Sequence, residues 1–276
     1  MPSIQKLIKI IADAIAIGLV ISIVGSAATL IITISGVKAI KNEIKEAQAN
    51  EELSVYSVEN NIKNISLDLA VSSLAIKKGD KFSVCYSDGF GIRSKNGILY
   101  IEDDATHLLD FGDSRRVIIT VPEKKVLDKV SISSGLGSVY IEKLICNKLD
   151  LDLGVGSTDI DYIKATAKSE IDGGIGNITV KGGLLGNLDY SVGIGKSDIT
   201  AKLSGDSEIE AGIGDLRLNL VGGENIYTLK GEAGIEPIRV GSDTLSGKMG
   251  IGENKVDIDG GIGNVKVDFA GQEVTL

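Results

Sequence analysis

The sequence LDLGVGSTDI (residues 151–160) contains the pattern that decides the fold. Its Gly-Val-Gly unit is one copy of a Gly-x-Gly repeat in which x is always Leu, Val or Ile. The copies are Gly135-Leu136-Gly137, Gly154-Val155-Gly156, Gly174-Ile175-Gly176, Gly193-Ile194-Gly195, Gly212-Ile213-Gly214, Gly250-Ile251-Gly252 and Gly261-Ile262-Gly263, with a decayed copy at Gly234-Ile235-Glu236. The first four intervals are 19, 20, 19 and 19 residues, and the next three are 22, 16 and 11. A period of about 20 residues, which is shorter than helical repeats, indicates a stacked array of strands.

Three apolar columns run through the aligned copies when the first glycine is counted as position zero. Position +1 is aliphatic in every copy, position +6 is Ile, Val or Leu, and position −3 is apolar in the first five copies. The residues between them are mostly polar or charged, as in Ser157–Asp161. This period-two alternation, rich in β-branched residues, predicts strands with one solvated face. We expect each column to become an internal aliphatic ladder.

The repeat predicts an all-β fold. Glycines on either side of position +1 permit tight bends and positive φ angles. Because every copy has the same in/out phase, we expect a parallel β-solenoid, a right-handed β-helix with rungs of ~20 residues. An antiparallel β-sandwich is the alternative, and it fits less well because hairpin strands would not share one phase.

Decayed rungs extend this pattern towards the N-terminus. Residues 67–76 match residues 151–160 with both glycines replaced. Further strands are predicted at Lys81–Tyr86, Gly97–Glu102 and Arg116–Val121, with a loop at Asp103–Ser114. At the other end, Val265–Phe269 is followed by a short tail, so this strand is expected to be an exposed edge.

The N-terminal part of the sequence has a different character. Ala14–Ile34 is a run of 21 uncharged, mainly apolar residues, long enough to cross a bilayer as a helix. A cleaved signal peptide is the competing interpretation, but its apolar region is normally shorter, at about 7–15 residues. The predicted organisation is a short tail (1–13), a transmembrane helix (14–36), a polar helical spacer (37–58) and the β-solenoid domain (59–276).

The membrane orientation follows less directly from the charges. Lys6 and Lys9 precede the apolar run, whereas Lys38, Lys41 and Lys45 follow it. The positive-inside rule therefore mildly favours a cytoplasmic location for the spacer. Because a first signal-anchor segment with a short tail commonly keeps that tail inside, we expect a single-pass protein of the cell membrane with an extracytoplasmic β-domain.

Charge and cysteine content narrow the function further. The first 50 residues carry five lysines and three acidic residues, so the remainder has 24 basic and 35 acidic residues and a net charge of −11. Such a surface disfavours nucleic-acid binding, because phosphate contacts need basic side chains. Cys85 and Cys146 lack metal-ligand spacing, and whether they pair stays open.

The sequence has no specific signal for catalysis or for a cofactor. Its one histidine, His107, falls in the predicted loop. The Gly-x-Gly units are not dinucleotide fingerprints, because strand and not helix follows them. The calcium-binding nonapeptide pattern is absent from the sequence. We expect a protein that is not an enzyme and holds neither cofactor nor metal; a carbohydrate-active β-helix enzyme is disfavoured because the arginines are scattered.

Acidic residues recur at the outward positions −4 and −2. They are Asp150, Asp152, Glu170, Asp172, Asp189, Glu208, Glu210 and Glu232. In a stacked solenoid they would form two adjacent carboxylate columns, interrupted by Ser133, Ser191 and Lys230. One interpretation is a solvated face that aids solubility. The other is a binding face for divalent cations, a cationic polymer or a basic protein.

Several segments resemble a known bacterial family. They are Ile65–Leu69, Ala75–Asp80, Ile118–Pro122, Leu127–Ile132 and the Gly-x-Gly units, which together cover about residues 59–269. This pattern is similar to that of the envelope proteins described as candidate adhesins with β-strand repeats, common in Gram-positive bacteria and largely of unknown function. The resemblance implies a β-helical extracytoplasmic domain, association with the envelope and no established catalysis, so no catalytic residue is carried over.

Two functions follow as hypotheses. The first is a membrane-anchored, adhesin-like binding module that uses the acidic face. The second is a structural or regulatory envelope protein of the stress-response type, acting through self-association or through membrane-protein partners.

Overall fold

A computed structural model describes residues 53–58, 61–103 and 115–271, and this part of the chain is all-β. One 3-10 turn, Glu224–Ile226, interrupts the strands. The strands are β1 (Ser54–Ser57), β2 (Asn64–Val71), β3 (Ser73–Gly79), β4 (Ser83–Tyr86), β5 (Phe90–Lys95), β6 (Ile98–Asp103), β7 (Arg116–Pro122), β8 (Leu127–Leu136), β9 (Val139–Ile141), β10 (Leu144–Val155), β11 (Thr158–Ile160), β12 (Ile163–Ile175), β13 (Ile178–Val180), β14 (Gly183–Gly186), β15 (Leu188–Ile194), β16 (Ser197–Ser204), β17 (Asp206–Glu210), β18 (Leu216–Val221), β19 (Tyr227–Glu232), β20 (Arg239–Val240), β21 (Asp243–Thr244), β22 (Gly247–Gly250), β23 (Asn254–Asp259) and β24 (Val265–Ala270).

The central rungs follow one another in sequence and pair in parallel. Strand β10 lies between β8 and β12, so that Leu151 is flanked by Ile132 and Ile171. The same column continues through Tyr190 and Ile209. All five side chains are buried. The predicted ladder at position −3 is therefore confirmed, and the sheet is solenoid-like.

Position +6 forms the second internal ladder, on the neighbouring face of the stack. Ile160 in β11 lies between Ile141 and Val180, and the ladder continues through Ile199 and Leu218. These five side chains are at most 2% exposed and belong to the same core cluster as the ladder at position −3. Because burying one aliphatic side chain contributes roughly 2 kcal/mol, the two ladders are the main source of stability of the central stack.

The prediction for position +1 is wrong. The column exists, but its side chains are half-buried or exposed and line the outside of the corner. Ile194 and Ile213 are each 36% exposed, and Ile262 is 47% exposed.

The corner itself explains this outward direction. The pairing of β10 with β8 passes from Leu153 to Val155 and leaves out Gly154, where the chain turns the corner. The period-two alternation that places Leu153 inside does not continue through the turn. Val155 therefore faces outward, although its sequence pattern matched a buried position.

The N-terminal end of the stack is assembled out of sequence order. Strand β2 lies between β6 and β8, and β3 lies between β7 and β9. The rung β2–β3, which comes first in the sequence, therefore lies between the rung β6–β7 and the rung β8–β9. On the outer side of the rung β6–β7, β4 pairs with β7 and β5 pairs with β6, both antiparallel, and β1 pairs with β4. These short antiparallel strands cap the stack.

The C-terminal end repeats this arrangement. Strand β23 lies between β17 and β19. Strand β24 lies between β18 and β20. The predicted exposed edge at Val265–Phe269 is therefore wrong at the centre of the strand, because β24 pairs with β18 along its length and with β20 at Lys266 and Val267. The irregular intervals have the same cause: the spatial order of the last corners is Gly212, Gly261, Gly234. Gly250-Ile251-Gly252 is outside the corner, at the end of the antiparallel strand β22.

The N-terminal predictions are mostly outside the described residues. This is so for the tail (1–13), for the predicted transmembrane helix (14–36) and for most of the spacer (37–58). The last part of that spacer range contains β1, a strand and not a helix. Within the described ranges, no helix has the length and apolar character needed to span a membrane.

Alanine at a corner glycine tests how closely the rungs approach. The Gly176 N–H donates to the Ile194 carbonyl at 2.8 Å, and a Cβ at Gly176 would lie 1.6 Å from the Gly156 carbonyl oxygen, at a φ of +149°. We expect Gly176→Ala to lower the free energy of unfolding by about 3 kcal/mol or more. Gly182→Ala is the control, because its nearest neighbour would be 3.7 Å away. Urea denaturation compares them, and equal midpoints would contradict the close approach.

A buried ion pair fixes the N-terminal cap. Arg115 pairs with Asp103 at the end of β6, and their side chains are 9% and 1% exposed. The guanidinium also donates to the Gly89 carbonyl and lies 4.9 Å from the ring centroid of Phe90. Asp103 in turn accepts the Val71 N–H at 2.9 Å. The cap strands and β2 are thus held together at one point.

Removing the cation of this pair should cost far more than removing a surface cation. Arg115→Met leaves the Asp103 carboxylate buried without its partner, so we expect a loss of about 3–5 kcal/mol in the free energy of unfolding. Arg93→Met is the matched control, since Arg93 pairs with Glu102 on the surface at 2.7 Å, and we expect a loss of about 1 kcal/mol or less. Thermal unfolding of both variants measures the difference; similar losses would show that the buried pair does not fix the cap.

Candidate binding face

The predicted acidic columns are present and in register. We call the acidic columns at positions −4 and −2 the −4 file and the −2 file. The −4 file consists of Asp150, Glu170, Asp189, Glu208 and Asp257, and each residue is paired with the next on the neighbouring strand. Because adjacent strands lie about 4.8 Å apart, consecutive carboxylates of this file stand at that spacing along the stack. The file ends at Lys230, which is paired with Asp257.

The −2 file is longer and runs parallel to the first. Its members are acidic except at two serines. In spatial order they are Glu102, Asp68, Ser133, Asp152, Asp172, Ser191, Glu210, Asp259 and Glu232. All eight predicted site residues therefore lie in one or other of the two files.

Sequence reasoning missed four acidic members of these files. Asp257 and Asp259 stand at positions −4 and −2 from Gly261, so the alignment contained the signal. Asp68 and Glu102 lie in rungs without a Gly-x-Gly unit. Asp68 was nevertheless within the segment that matches residues 151–160, whereas Glu102 had no such signal.

Lysines moderate the charge at the N-terminal half of this face. Lys129, Lys148 and Lys168 are in register on β8, β10 and β12, two residues before the −4 file. Lys129 pairs with Asp150 at 2.9 Å, and Lys168 pairs with Glu170 at 2.7 Å. Negative charge therefore concentrates in the C-terminal half of the face.

The pKa values of the carboxyl groups follow this distribution. Burial raises the pKa of Asp259, and Glu232, Asp257, Glu210 and Glu208 raise it further. Asp152 has a raised pKa through burial and through repulsion from Asp172, Asp150 and Asp68. At Asp150 burial acts in the same direction, but hydrogen bonds from Lys129 and Ser131 outweigh it and lower the pKa.

A surface hollow of about 480 Å³ lies at the C-terminal end of the −4 file. Lys168, Lys230 and Lys255 line it, together with Asp206 and the −4 file residues Asp189, Glu208 and Asp257. Lys255 pairs with Asp206 at 3.3 Å on its edge. The hollow has mixed charge, so it interrupts the acidic face there.

Other chemistry is limited among the described residues. They contain no group of three or more His, Cys, Asp or Glu side chains placed to hold a metal ion. Both cysteines are free, and burial raises the pKa of Cys146 to about 12, which leaves its thiol protonated and unreactive at neutral pH. His107 lies outside the described residues.

The comparison with protein families agrees with this architecture. The chain belongs to the Toastrack DUF4097 family, whose model matches residues 77–235. The expected membership in a family with candidate adhesins is thereby confirmed. No curated protein matches the chain.

Solved structures that are similar to this chain come from Bacteroides and Parabacteroides species. A candidate adhesin from Bacteroides fragilis NCTC 9343 has a TM-score of 0.56 at 19% identity, covering 79% of this chain and 98% of its own. A candidate adhesin from Parabacteroides merdae ATCC 43184 has a TM-score of 0.42 at 15% identity, covering 80% and 97%. A candidate lipid-binding protein from Parabacteroides distasonis ATCC 8503 has a TM-score of 0.44 at 15% identity, covering 80% and 97%. At such identities the first of these likenesses shows the fold alone.

Two neighbouring carboxylates should respond to neutralisation in opposite directions. The raised pKa of Asp152 means that its ionised form destabilises the fold, so we expect Asp152→Asn to stabilise the protein at pH 7 by about 0.5 kcal/mol. The lowered pKa of Asp150 means that its ionised form stabilises the fold, so we expect Asp150→Asn to destabilise it by a similar amount.

Lowering the pH should remove the effects of both substitutions on the free energy of unfolding. The penalty at Asp152 is present above its raised folded pKa and disappears below the ordinary Asp value of 3.8. The benefit at Asp150 is present above 3.8 and is lost as the pH falls through its lowered folded pKa. Urea midpoints at pH 7 and pH 3 measure this. Shifts of the same sign for both variants at pH 7 would contradict the described ion pairs.

Proposed function

We propose that this chain is an adhesin-like binding module of the bacterial envelope. In this proposal the segment 14–36 anchors the chain in the membrane as a single-pass helix, and the right-handed solenoid lies outside the cell. The module binds without catalysing a reaction. The family membership and the fold shared with the Bacteroides fragilis protein support it. The observation that carries it is the pair of acidic files, in register along the face of the stack.

The spacing of the files favours a polymeric cationic ligand over a single ion. Carboxylates repeat about every 4.8 Å along the −4 file, and along the −2 file except at Ser133 and Ser191. This spacing is shorter than the Debye length of about 8 Å at physiological salt. A basic protein segment or cationic polymer therefore meets several carboxylates at once. Each exposed pair contributes at most about 1 kcal/mol, so useful affinity requires that many pairs act together.

A structural role through strand-edge association has less support from the described residues. Both ends of the stack are closed by antiparallel strands. The outer strands are β21 and β22 at the C-terminal end, with two and four residues, and β1 and β5 at the N-terminal end, with four and six residues. Short edges of this kind oppose edge-to-edge pairing. The binding face is therefore the preferred basis for function.

Charge reversal on the face tests the proposal. We expect Glu208→Lys combined with Glu210→Lys to weaken binding of a fluorescent poly-lysine probe at least tenfold, equivalent to about 1.4 kcal/mol. Glu224→Lys combined with Asp243→Lys is the control, because both residues are exposed, lie off the files and give the same change in net charge. Anisotropy titrations compare the variants. An equal loss in the control would mean that only net charge matters.

The proposed location needs its own measurement. Full-length chain in intact bacterial cells is treated with protease, and a lysed sample serves as the reference. Digestion of the β-domain in intact cells is the expected result. Protection in intact cells with digestion after lysis would place the β-domain inside and remove the adhesin-like function.

A further inference from the structure

The outward +1 column ends in an exposed aliphatic strip. Among the described residues the exposed large hydrophobic side chains are Val55, Val126, Ile194, Ile213, Ile235, Ile251 and Ile262. Four of these seven belong to one column. We name Ile194, Ile213, Ile262 and Ile235, in this spatial order, the isoleucine file.

Backbone pairing fixes the isoleucine file in register. Ile194 bridges Ile213, and Ile213 bridges Ile262. The Ile235 N–H donates to the Gly261 carbonyl at 3.1 Å, which places Ile235 next in line. At about 4.8 Å per rung, the four side chains form a strip of about 14 Å. Exposure rises along it from 36% at Ile194 to 71% at Ile235.

An acidic rail accompanies the isoleucine file. Glu210, Asp259 and Glu232 each stand three residues before a member of the file, and Ser191 takes that position in the first rung. Three residues of chain span at most about 10 Å, and the corner glycine between each rail residue and its isoleucine shortens this distance. The file and the rail therefore form a two-part surface, apolar on one side and anionic on the other.

The charge of the rail decides which kind of partner fits. A second copy of this chain with its file antiparallel to this one would bring the two acidic rails together. A copy with its file parallel would leave each rail without a basic partner from the other copy's file or rail, because neither contains a basic residue. A membrane surface rich in anionic lipids would be repelled by the acidic rail. A partner with an aliphatic stripe and a lysine or arginine stripe beside it satisfies both parts of the surface.

The spacing of the file selects a helix over an extended segment. Side chains on one face of an α-helix recur about every 5.4 Å along its axis, close to the rung spacing of about 4.8 Å. Side chains on one face of a strand recur about every 6.7 Å and lose register after one or two rungs. A helix is also about 10 Å wide, so its flank would lie over the acidic rail.

We propose that the isoleucine file and its acidic rail bind a short basic amphipathic helix of a partner protein, lying along the axis of the stack. The inference rests on the proposed binding function and adds the class of partner and its contact residues. About three helical turns would cover the file. The aliphatic stripe of the helix contacts Ile213 and Ile262, and its basic stripe contacts Glu210 and Asp259.

A designed peptide tests this directly. The probe is a fluorescent helix of about 15 residues with isoleucines at helical spacing and a lysine after each; a twin carries glutamates in place of the lysines. Full-length chain in zwitterionic lipid nanodiscs is titrated by anisotropy. We expect the lysine probe to bind, and the glutamate twin to bind at least tenfold more weakly.

Matched variants assign the binding to the file. Ile213→Ser combined with Ile262→Ser should weaken the lysine probe at least tenfold. Ile251→Ser is the control, because Ile251 is 93% exposed but lies off the file, and it should leave binding unchanged. Near-native circular dichroism and melting of each variant exclude unfolding as the cause.

The poly-lysine probe separates this inference from the proposed function. If the Ile213→Ser/Ile262→Ser variant no longer binds the helical probe but still binds poly-lysine, the isoleucine file is supported as a contact distinct from the acidic files. If the wild-type chain binds poly-lysine but not the helical probe, the inference is overturned and the proposed function stands. If it binds neither, both are overturned.

Discussion

The close approach of corner backbones is the constraint on which this structure depends. At five successive corners, from Gly137 to Gly214, the second glycine donates its N–H to the carbonyl of the +1 residue in the next rung, as from Gly156 to Ile175 at 2.9 Å and from Gly195 to Ile213 at 2.9 Å. A Cβ at Gly156 would lie 1.6 Å from the Gly137 carbonyl oxygen. Only glycine permits this contact, and the contact continues the hydrogen-bond ladder around the bend.

Because the corners fix the register, every surface column inherits it. The register that places Leu151 beside Ile171 in the core also places Asp152 beside Asp172 on the solvated face. Like charges in register repel, and the pairing of Lys129 with Asp150 offsets this in the N-terminal half. Towards the C-terminus the carboxylates outnumber the lysines, and there the exposed isoleucines also stand. The register thus places an anionic and an apolar column side by side.

The fold was more predictable from the sequence than the binding face, for physical reasons. Period and alternation depend on local geometry, so the ladders through Leu151 and Ile160 followed directly. The direction of Val155 did not, because the turn at Gly154 breaks the alternation that the prediction extended through it. The pairing of Asp257 with Glu208 required the non-sequential order of the last rungs, which no local pattern encodes.

That non-sequential order has a consequence for the binding face itself. Asp257 and Asp259 lie 49 residues after Glu208 and Glu210, yet they are their direct neighbours across β17 and β23. Strand β19, which carries Glu232, enters the parallel sheet by pairing with β23. Pairing residues this far apart in sequence costs chain entropy, and the acidic face is incomplete at its C-terminal end until the β23–β24 rung is in place. The surface with the highest concentration of carboxylates and exposed isoleucines is therefore complete only in the fully folded chain.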